Sequence, residues 1–291
     1  MLVSILMPVR NESKYISLAI GSVLGISAID FELIVVDDGS SDNTKEIIQS
    51  FTDPKVKLIE GRGEGKVHAF NSAFAAARGD FFILFAGDDL IESSVVSKRV
   101  EVLQAHDKAA CISFCKVRML SDEKKYDGVV IPKSSDRGAM TGGGMAFNRT
   151  FAECVFPIPS DLPNEDSWIK HFVEFMDCKI FHVPEIGLHY RIHSSNSMRR
   201  DVAFIDFSTQ LARREKATEI FLHHYKNSLS AQAILLLTAR LEIQRFRQGG
   251  KVLSILLASN VSWREKLSAC FYSNRILYNI RQKFYSFFSG R

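Results

Sequence analysis

Two pairs of adjacent aspartates, each placed where an apolar run ends, constrain this chain more than any other feature. The stretch Phe31-Glu32-Leu33-Ile34-Val35-Val36 is rich in β-formers, stops at Asp37-Asp38, and opens into Gly39-Ser40-Ser41-Asp42-Asn43-Thr44. The run Phe81-Phe82-Ile83-Leu84-Phe85 stops in the same way, at Asp88-Asp89. A strand apolar along its whole length is covered on both faces, and unpaired carboxylates cannot follow it into the core. Both pairs therefore belong at the carboxyl edge of a sheet, where open α/β sheets bind their ligands. Two strands that deliver carboxylates to one edge point to a polar, cation-assisted site.

The first hundred residues alternate in pattern. Strands are expected at 3–9, 33–36, 56–60 and 81–85. Helices are expected at 13–24, at 43–51 (with Ser41 or Asp42 placed to cap it), and at 66–77. The last of these carries Ala69, Phe70, Ala73, Phe74 and Ala77 on one face, and Gly79 stops it. This order predicts a Rossmann-like α/β fold, a mostly parallel central sheet with helices on both faces. From 110 to 190 the pattern loosens, with strands at 110–117 and 179–183, a turn at Thr141-Gly142-Gly143-Gly144 and a helix at 165–175. Beyond residue 200 the chain reads as long helices, 204–225 and 230–247, then Gly249-Gly250 and a last amphipathic stretch. The expected division is 1–200 as an α/β domain, with halves 1–105 and 106–200, and 201–291 as a helical C-terminal region.

Composition narrows the classes. The chain has 291 residues, 46% hydrophobic and 24% charged, with a mean hydropathy near zero, enough for one large domain with an appendage. A net charge of +4 is too weak to imply nucleic acid. Five cysteines without C-x-x-C spacing suit reduced thiols in the cytoplasm. Residues 1–9 lack a basic lead and read as a first strand rather than a leader. No apolar run reaches the ~18 residues needed to cross a bilayer. The expectation is a cytoplasmic protein, soluble or peripheral on the cytosolic face of a membrane.

Gly61-Arg62-Gly63-Glu64-Gly65-Lys66 is glycine-rich but is not a P-loop: Glu60 stands where glycine is needed, and Val67 where a metal-binding hydroxyl is needed. A dinucleotide G-x-G-x-x-G is missing after the first strand, where Pro8-Val9-Arg10-Asn11-Glu12 stands. Two readings stay open: a plain surface turn, or a turn that brings Lys66 to a diphosphate as a point charge.

Ser4-Ile5-Leu6-Met7-Pro8-Val9-Arg10-Asn11-Glu12 followed by Ile34-Val35-Val36-Asp37-Asp38-Gly39-Ser40-Ser41-Asp42-Asn43-Thr44 resembles the family 2 inverting glycosyltransferases. Asn71, Ala77-Arg78-Gly79-Asp80, Asp88-Asp89, Glu165-Asp166 and Tyr190-Arg191-Ile192-His193 follow in the same order. The resemblance covers residues 2–198 and leaves the tail without a counterpart. It implies a GT-A fold that binds a nucleotide-diphospho-sugar, UDP-linked by expectation, and a divalent metal, Mn or Mg. The acceptor would be a glycan or a lipid-linked sugar in cell-surface polysaccharide synthesis.

Carried over by position, the resemblance puts Pro8, Val9, Asn11 and Glu12 in the nucleotide pocket and gives Asp37 or Asp38 the hydrogen bond from the base. It adds Lys66, Asn71 and Arg191 on the donor side, with Asp88 toward ribose or metal. Asp89, Asp88 and His193 form the implied metal set, with Asp89 the principal ligand. Asp166 would be the catalytic base, and Glu165 would orient the acceptor. The sequence departs from the commonest pattern at Ala86-Gly87-Asp88-Asp89, where many relatives carry one more acid. That departure keeps open a nucleotide-binding scaffold without catalysis. A sugar nucleotidyltransferase is the other rival, but it calls for a basic glycine-rich loop after the first strand. Each residue also has a plainer reading: a turn or capping acid, an acid favoured at a helix start, a solvated histidine.

From residue 263 on, Arg264, Lys266, Arg275, Arg281, Lys283 and Arg291 face the single acid Glu265. Ile276, Leu277, Ile280, Phe284, Phe287 and Phe288 interleave with them. Such a stretch suits an anionic membrane surface, or a helix packed on the core or a second subunit.

Overall fold

The structure is a computed structural model and describes residues 1–193, 196 and 202–283. The expected boundary near residue 200 falls outside the described residues, as do Phe284, Phe287, Phe288 and Arg291. Packing divides the chain into two units, residues 1–173 with 177–193, and residues 174–176 with 194–291.

The first unit is built on a nine-stranded sheet. Its strands are β1 (Leu2–Val9), β2 (Asp30–Asp37), β3 (Val56–Glu60), β4 (Phe81–Leu84), β5 (Leu90–Ile91), β6 (Cys111–Ser121), β7 (Val130–Ile131), β8 (Met145–Asn148) and β9 (Lys179–Ile192). The order is β3-β2-β1-β4-β8-β6-β9-β5, with β7 paired to β6. β1, β2, β3 and β4 run parallel, and β9 runs parallel to β6. Antiparallel β8 separates β4 from β6, and β5 runs against β9.

Apolar strands with both faces buried explain the parallel core. Val3, Ile5 and Met7 join Ile16, Ala19, Ile20 and Val23 of α1 (Ile16–Leu24), and Val96, Val100 and Leu103 of α4 (Ser93–Gln104), in one buried cluster. The opposite face is aromatic. Phe82 meets Phe74 of α3 (Lys66–Ala76) at 5.2 Å and Phe147 at 6.0 Å, while Phe74 stacks on Phe156 at 4.3 Å. The remaining helices of this part of the chain are α2 (Thr44–Gln49), α5 (Arg149–Val155) and α6 (Asp166–Phe175).

The sequence reading placed no element at α4, β5, β8 or α5, and it stopped β9 at residue 183. β9 runs on to Ile192 because it bulges opposite Cys115–Val117 of β6, leaving Pro184, Glu185 and Gly187 out of register, and then resumes pairing. α2 starts at Thr44, and it is Asp42 that accepts the Thr44 amide, at 3.1 Å.

The second unit comprises α7 (Phe204–Tyr225), α8 (Ala231–Gln248), α9 (Val252–Leu257), α10 (Trp263–Phe271) and α11 (Arg275–Lys283). A buried Arg247 pairs with Glu215 across α7 and α8, and a capping box between Ser262 and Glu265 opens α10. Ile243, Ile255, Ala269 and Cys270 form its small apolar core. Among the described residues no helix is long and apolar enough to cross a membrane.

One buried polar node ties down the strands of the parallel core. Glu32 of β2 accepts hydrogen bonds from Ser4 Oγ at 2.7 Å, Lys57 Nζ at 2.6 Å and the Arg78 amide at 2.6 Å. Burial alone would raise this carboxyl, but these donors outweigh it and hold it down to about 2. A carboxyl lowered on folding adds stability that is present above its unfolded pKa of about 4.5 and is lost as pH falls toward about 2. With Lys57 and Arg78 partly in solvent, Glu32→Gln should cost about 1–2 kcal/mol at pH 7. The difference from wild type should narrow between pH 5 and 3.5 in urea titrations.

Candidate active site

β1 and β2 end side by side, with Val9 opposite Asp37, and the Asp38 amide donates to the Val9 carbonyl at 2.9 Å. The loops that follow are stitched together. Asn11, at φ 57°, donates its amide to Ser40 Oγ at 2.9 Å and accepts the Ser41 amide on its own Oδ1 at 2.8 Å. The Glu12 amide donates to Thr44 Oγ1 at 2.8 Å. Asp37 closes its own turn by accepting from the Ser40 amide and hydroxyl.

Asp38 does something different. Its two carboxylate oxygens accept the amides of Glu64 at 3.0 Å and Gly65 at 2.8 Å. The glycine turn can meet it because Gly63 and Gly65 sit at φ +73° and +102°, a conformation glycine adopts freely. Between them lies a polar cavity of about 340 Å³ lined by Asp38, Gly61, Arg62, Glu64, His68 and Ser72. Arg62, His68 and Ser72 were not foreseen as lining residues; their place beside the glycine turn was the available signal.

At the end of β4 a second group of acids gathers. A Cβ on Gly87 would lie 2.7 Å from Val9 Cγ1 and 3.3 Å from Glu12 Cγ, so the turn carrying Asp88 packs directly on the 8–12 segment. Asp88 Oδ2 lies 2.9 Å from His193 Nε2, and Arg191 Nε donates to the Asp88 carbonyl at 2.9 Å. The Arg191 amide donates to Asp89 Oδ1 at 2.8 Å. The Arg191 guanidinium covers the Tyr15 ring at 4.6 Å, and the His193 ring lies 5.2 Å from it. Tyr15 thus seats Arg191 of β9 and His193 just beyond it, a role its sequence context did not signal.

Negative charge accumulates here. Burial, with Asp88 and Asp42 nearby, pushes the Glu12 carboxyl up to about 7. Burial and Asp88 raise Asp89 well above the ordinary carboxylate range. The expected metal set is not assembled as a cage: among the described residues no three His, Cys, Asp or Glu side chains converge on one point. Asp88 and His193 face one another, while an oxygen of Asp89, expected as the principal ligand, turns to the Arg191 amide. Hard cations bound through one or two protein groups plus substrate phosphates need no such cage, and a crowd of carboxyls held away from ionisation suits one.

The third group comes from α3 and α6. Lys66 Nζ lies 3.1 Å from Glu165 Oε1. Burial pulls on the Lys66 ammonium, but Glu165, then Asp166 and Asp88, outweigh it and hold its pKa above the ordinary lysine value. One cation therefore feels acids from two separate parts of the sequence. Glu165 is buried, and its Oε2 has no hydrogen-bond partner among the described residues. Gly142 supports it closely, since a Cβ there would stand 2.5 Å from Glu165 Oε1. Asp166, half-exposed at the first position of α6, accepts from the Asn164 amide and the Ser167 hydroxyl.

Asn71, expected among the donor-binding residues, donates to the Ile158 carbonyl and accepts the Ile158 amide, both at 2.8 Å, and so clamps a loop. Pro8 and Val9 are buried at the end of β1, with the Val9 side chain against the Gly87 turn.

The chain matches the family described as Glycosyl transferase family 2 over residues 4–147. It is 31% identical over 216 residues to an uncharacterized glycosyltransferase of Nostoc sp., covering 68% of this chain and 66% of that protein. It is 35% identical over 103 residues to the Escherichia coli UDP-Glc:alpha-D-GlcNAc-diphosphoundecaprenol beta-1,3-glucosyltransferase WfgD, covering 35% of this chain and 41% of that protein. In both cases the match spans less than two thirds of the relative's own length. The crystal structure of S. aureus TarS 1-349 in complex with UDP-GlcNAc shares the fold, with a TM-score of 0.60 at 17% identity, over 94% of this chain and 80% of that one. The GT-A architecture with a helical C-terminal addition is thereby established.

Removing Lys66 should strand a buried carboxylate. Lys66→Met should destabilise the protein by about 2 kcal/mol, less than a fully buried pair because the lysine is partly solvated. Adding Glu165→Gln in that background should recover most of the loss, read as denaturant midpoints in a double-mutant cycle.

Proposed function

This chain belongs to glycosyl transferase family 2, and from that premise we propose that it is an inverting glycosyltransferase, dependent on a divalent cation, that uses a UDP-sugar donor. One observation carries the reading. The Lys66 ammonium pairs with Glu165 at 3.1 Å, beside Asp166 at the start of α6, and also feels the charge of Asp88 in the turn after β4, so a base and a charge-handling site share one neighbourhood.

The chemistry follows from these groups. Asp166 takes the proton of the acceptor hydroxyl as its oxygen attacks the anomeric carbon from the side opposite the diphosphate, and the bond to the diphosphate breaks. Glu165, held by Lys66 and braced by Gly142, with Oε2 left without a hydrogen-bond partner among the described residues, orients that hydroxyl. Asp38 and the amide-rich turn at 61–65 hold the base and ribose. Asp88 and His193, with Asp89 adjacent, would hold Mn or Mg, which supplies neutralisation of the diphosphate charge. Arg191 and Lys66 add fixed positive charge.

Support for a UDP donor and a lipid-linked or glycan acceptor comes from the names that WfgD and the TarS complex carry, each describing its own protein. A lipid-linked acceptor fits a cytosolic enzyme working at a membrane surface in cell-surface polysaccharide synthesis. A second reading, a nucleotide-binding scaffold without turnover, is favoured only by the acid missing from Ala86-Gly87-Asp88-Asp89 and by the lack of a ready metal cage among the described residues.

Asp166→Asn should lower kcat at least ~10³-fold, as loss of a positioned base does, while the Kd for UDP measured by calorimetry with Mn stays within about threefold. Chelation should abolish transfer in the wild type, and Mn should restore it. Tight UDP binding with no turnover over a broad donor and acceptor panel would instead establish the scaffold.

A further inference from the structure

The second unit displays an apolar surface that its own core does not use. α9 buries Ile255 and leaves Leu253 and Leu257 70% and 75% exposed; α10 buries Ala269 and Cys270 and leaves Trp263 and Leu267 59% and 40% exposed. Residues 253 and 257, and likewise 263 and 267, are four apart, so each pair lies on one side of its helix. Single exposed leucines are ordinary on any protein, but four large apolar residues within 253–267, a tryptophan among them, are not.

The surrounding charge identifies the occupant. Residues 251–283 contain Lys251, Arg264, Lys266, Arg275, Arg281 and Lys283 against the single acid Glu265. That acid is already engaged, by Arg240 Nε at 2.8 Å and by the Ser262 amide and hydroxyl at 3.0 and 2.7 Å. Lys266 lies 5.9 Å from the Trp263 ring and donates to the Leu256 carbonyl, which places a cation beside the exposed apolar residues. A second copy of the chain would bring the same excess of cations to the contact and be repelled. A layer of anionic headgroups over hydrocarbon complements both components, and tryptophan favours that boundary.

We propose that α9 and α10 form a lipid-docking knuckle, with Leu253, Leu257, Trp263 and Leu267 entering the headgroup–acyl boundary of an anionic bilayer and Arg264 and Lys266 binding its headgroups. This surface stands outside the transfer site, and its test needs neither donor nor acceptor.

The test uses the full chain with vesicles of phosphatidylcholine alone or with 30 mol% phosphatidylglycerol. The wild type should sediment with the anionic vesicles and be released by high salt. Trp263 emission should shift to the blue and be quenched by brominated acyl chains, a change that Trp263→Phe removes because Trp168 is buried. Leu257→Glu with Trp263→Glu should weaken binding by ~10-fold or more, and Arg264→Gln with Lys266→Gln by about the same factor with loss of the preference for anionic lipid. All four positions altered are exposed or partly exposed, so circular dichroism and the thermal midpoint should hold, which separates lost docking from lost folding. Vesicle binding unchanged in both double variants would overturn the assignment. So would a lack of vesicle binding combined with a dimer, seen by light scattering, that Leu257→Glu with Trp263→Glu dissociates.

Discussion

The Lys66–Glu165 contact is the interaction on which the site depends. The parallel core brings acid-bearing strand ends to one edge, a placement that is costly unless every carboxylate is answered. The chain answers them with backbone amides and a histidine. Asp37 and Asp38 receive backbone amides from neighbouring turns, Asp89 receives one from β9, and Asp88 faces His193. Glu165 is answered by a side-chain ammonium delivered from a distant helix. Because α3 begins where the glycine turn ends, the turn that wraps Asp38 also aims Lys66, so the surroundings of Asp38 and of Glu165 are set by one stretch of backbone.

Much of this was legible before any coordinates. Buried apolar runs ending in acids can only be strand ends, and alternation with helices of matched length leaves a parallel arrangement as the economical solution. The acids of the Glu165-Asp166 pair stood at a helix start for the same local reasons that place them there in the fold. What stayed hidden depends on pairing rather than pattern. Antiparallel β8 between β4 and β6 is a short strand whose neighbours come from far along the chain, and no local signal fixes such a choice. α4 was missed because a charged residue, the buried Arg99, stands in the middle of its apolar face.

Side-chain roles were less legible than positions. Asn71 lies in the motif order expected of the family, yet its amide is consumed by both backbone groups of Ile158, a use that needs a loop no periodicity reveals. Tyr15 gave no signal because its value is a flat face for Arg191 and His193, and those meet it only once β9 is extended to Ile192. The long β9 is therefore more than an added strand: its last turns of pleat carry the residues that contact Asp88 and Asp89.

Two glycines decide how tightly the acids can be gathered. Gly87 lets the Asp88 turn lie against Val9 and Glu12, and this closeness, together with burial, raises Glu12 to about 7. Gly142 lets backbone stand where a side chain would strike the Glu165 carboxylate. Glu12 approaches from the first strand's loop and adds a carboxyl to the cluster around Asp88. Its pKa near neutrality means that this charge is only partly present until a positive partner draws it out.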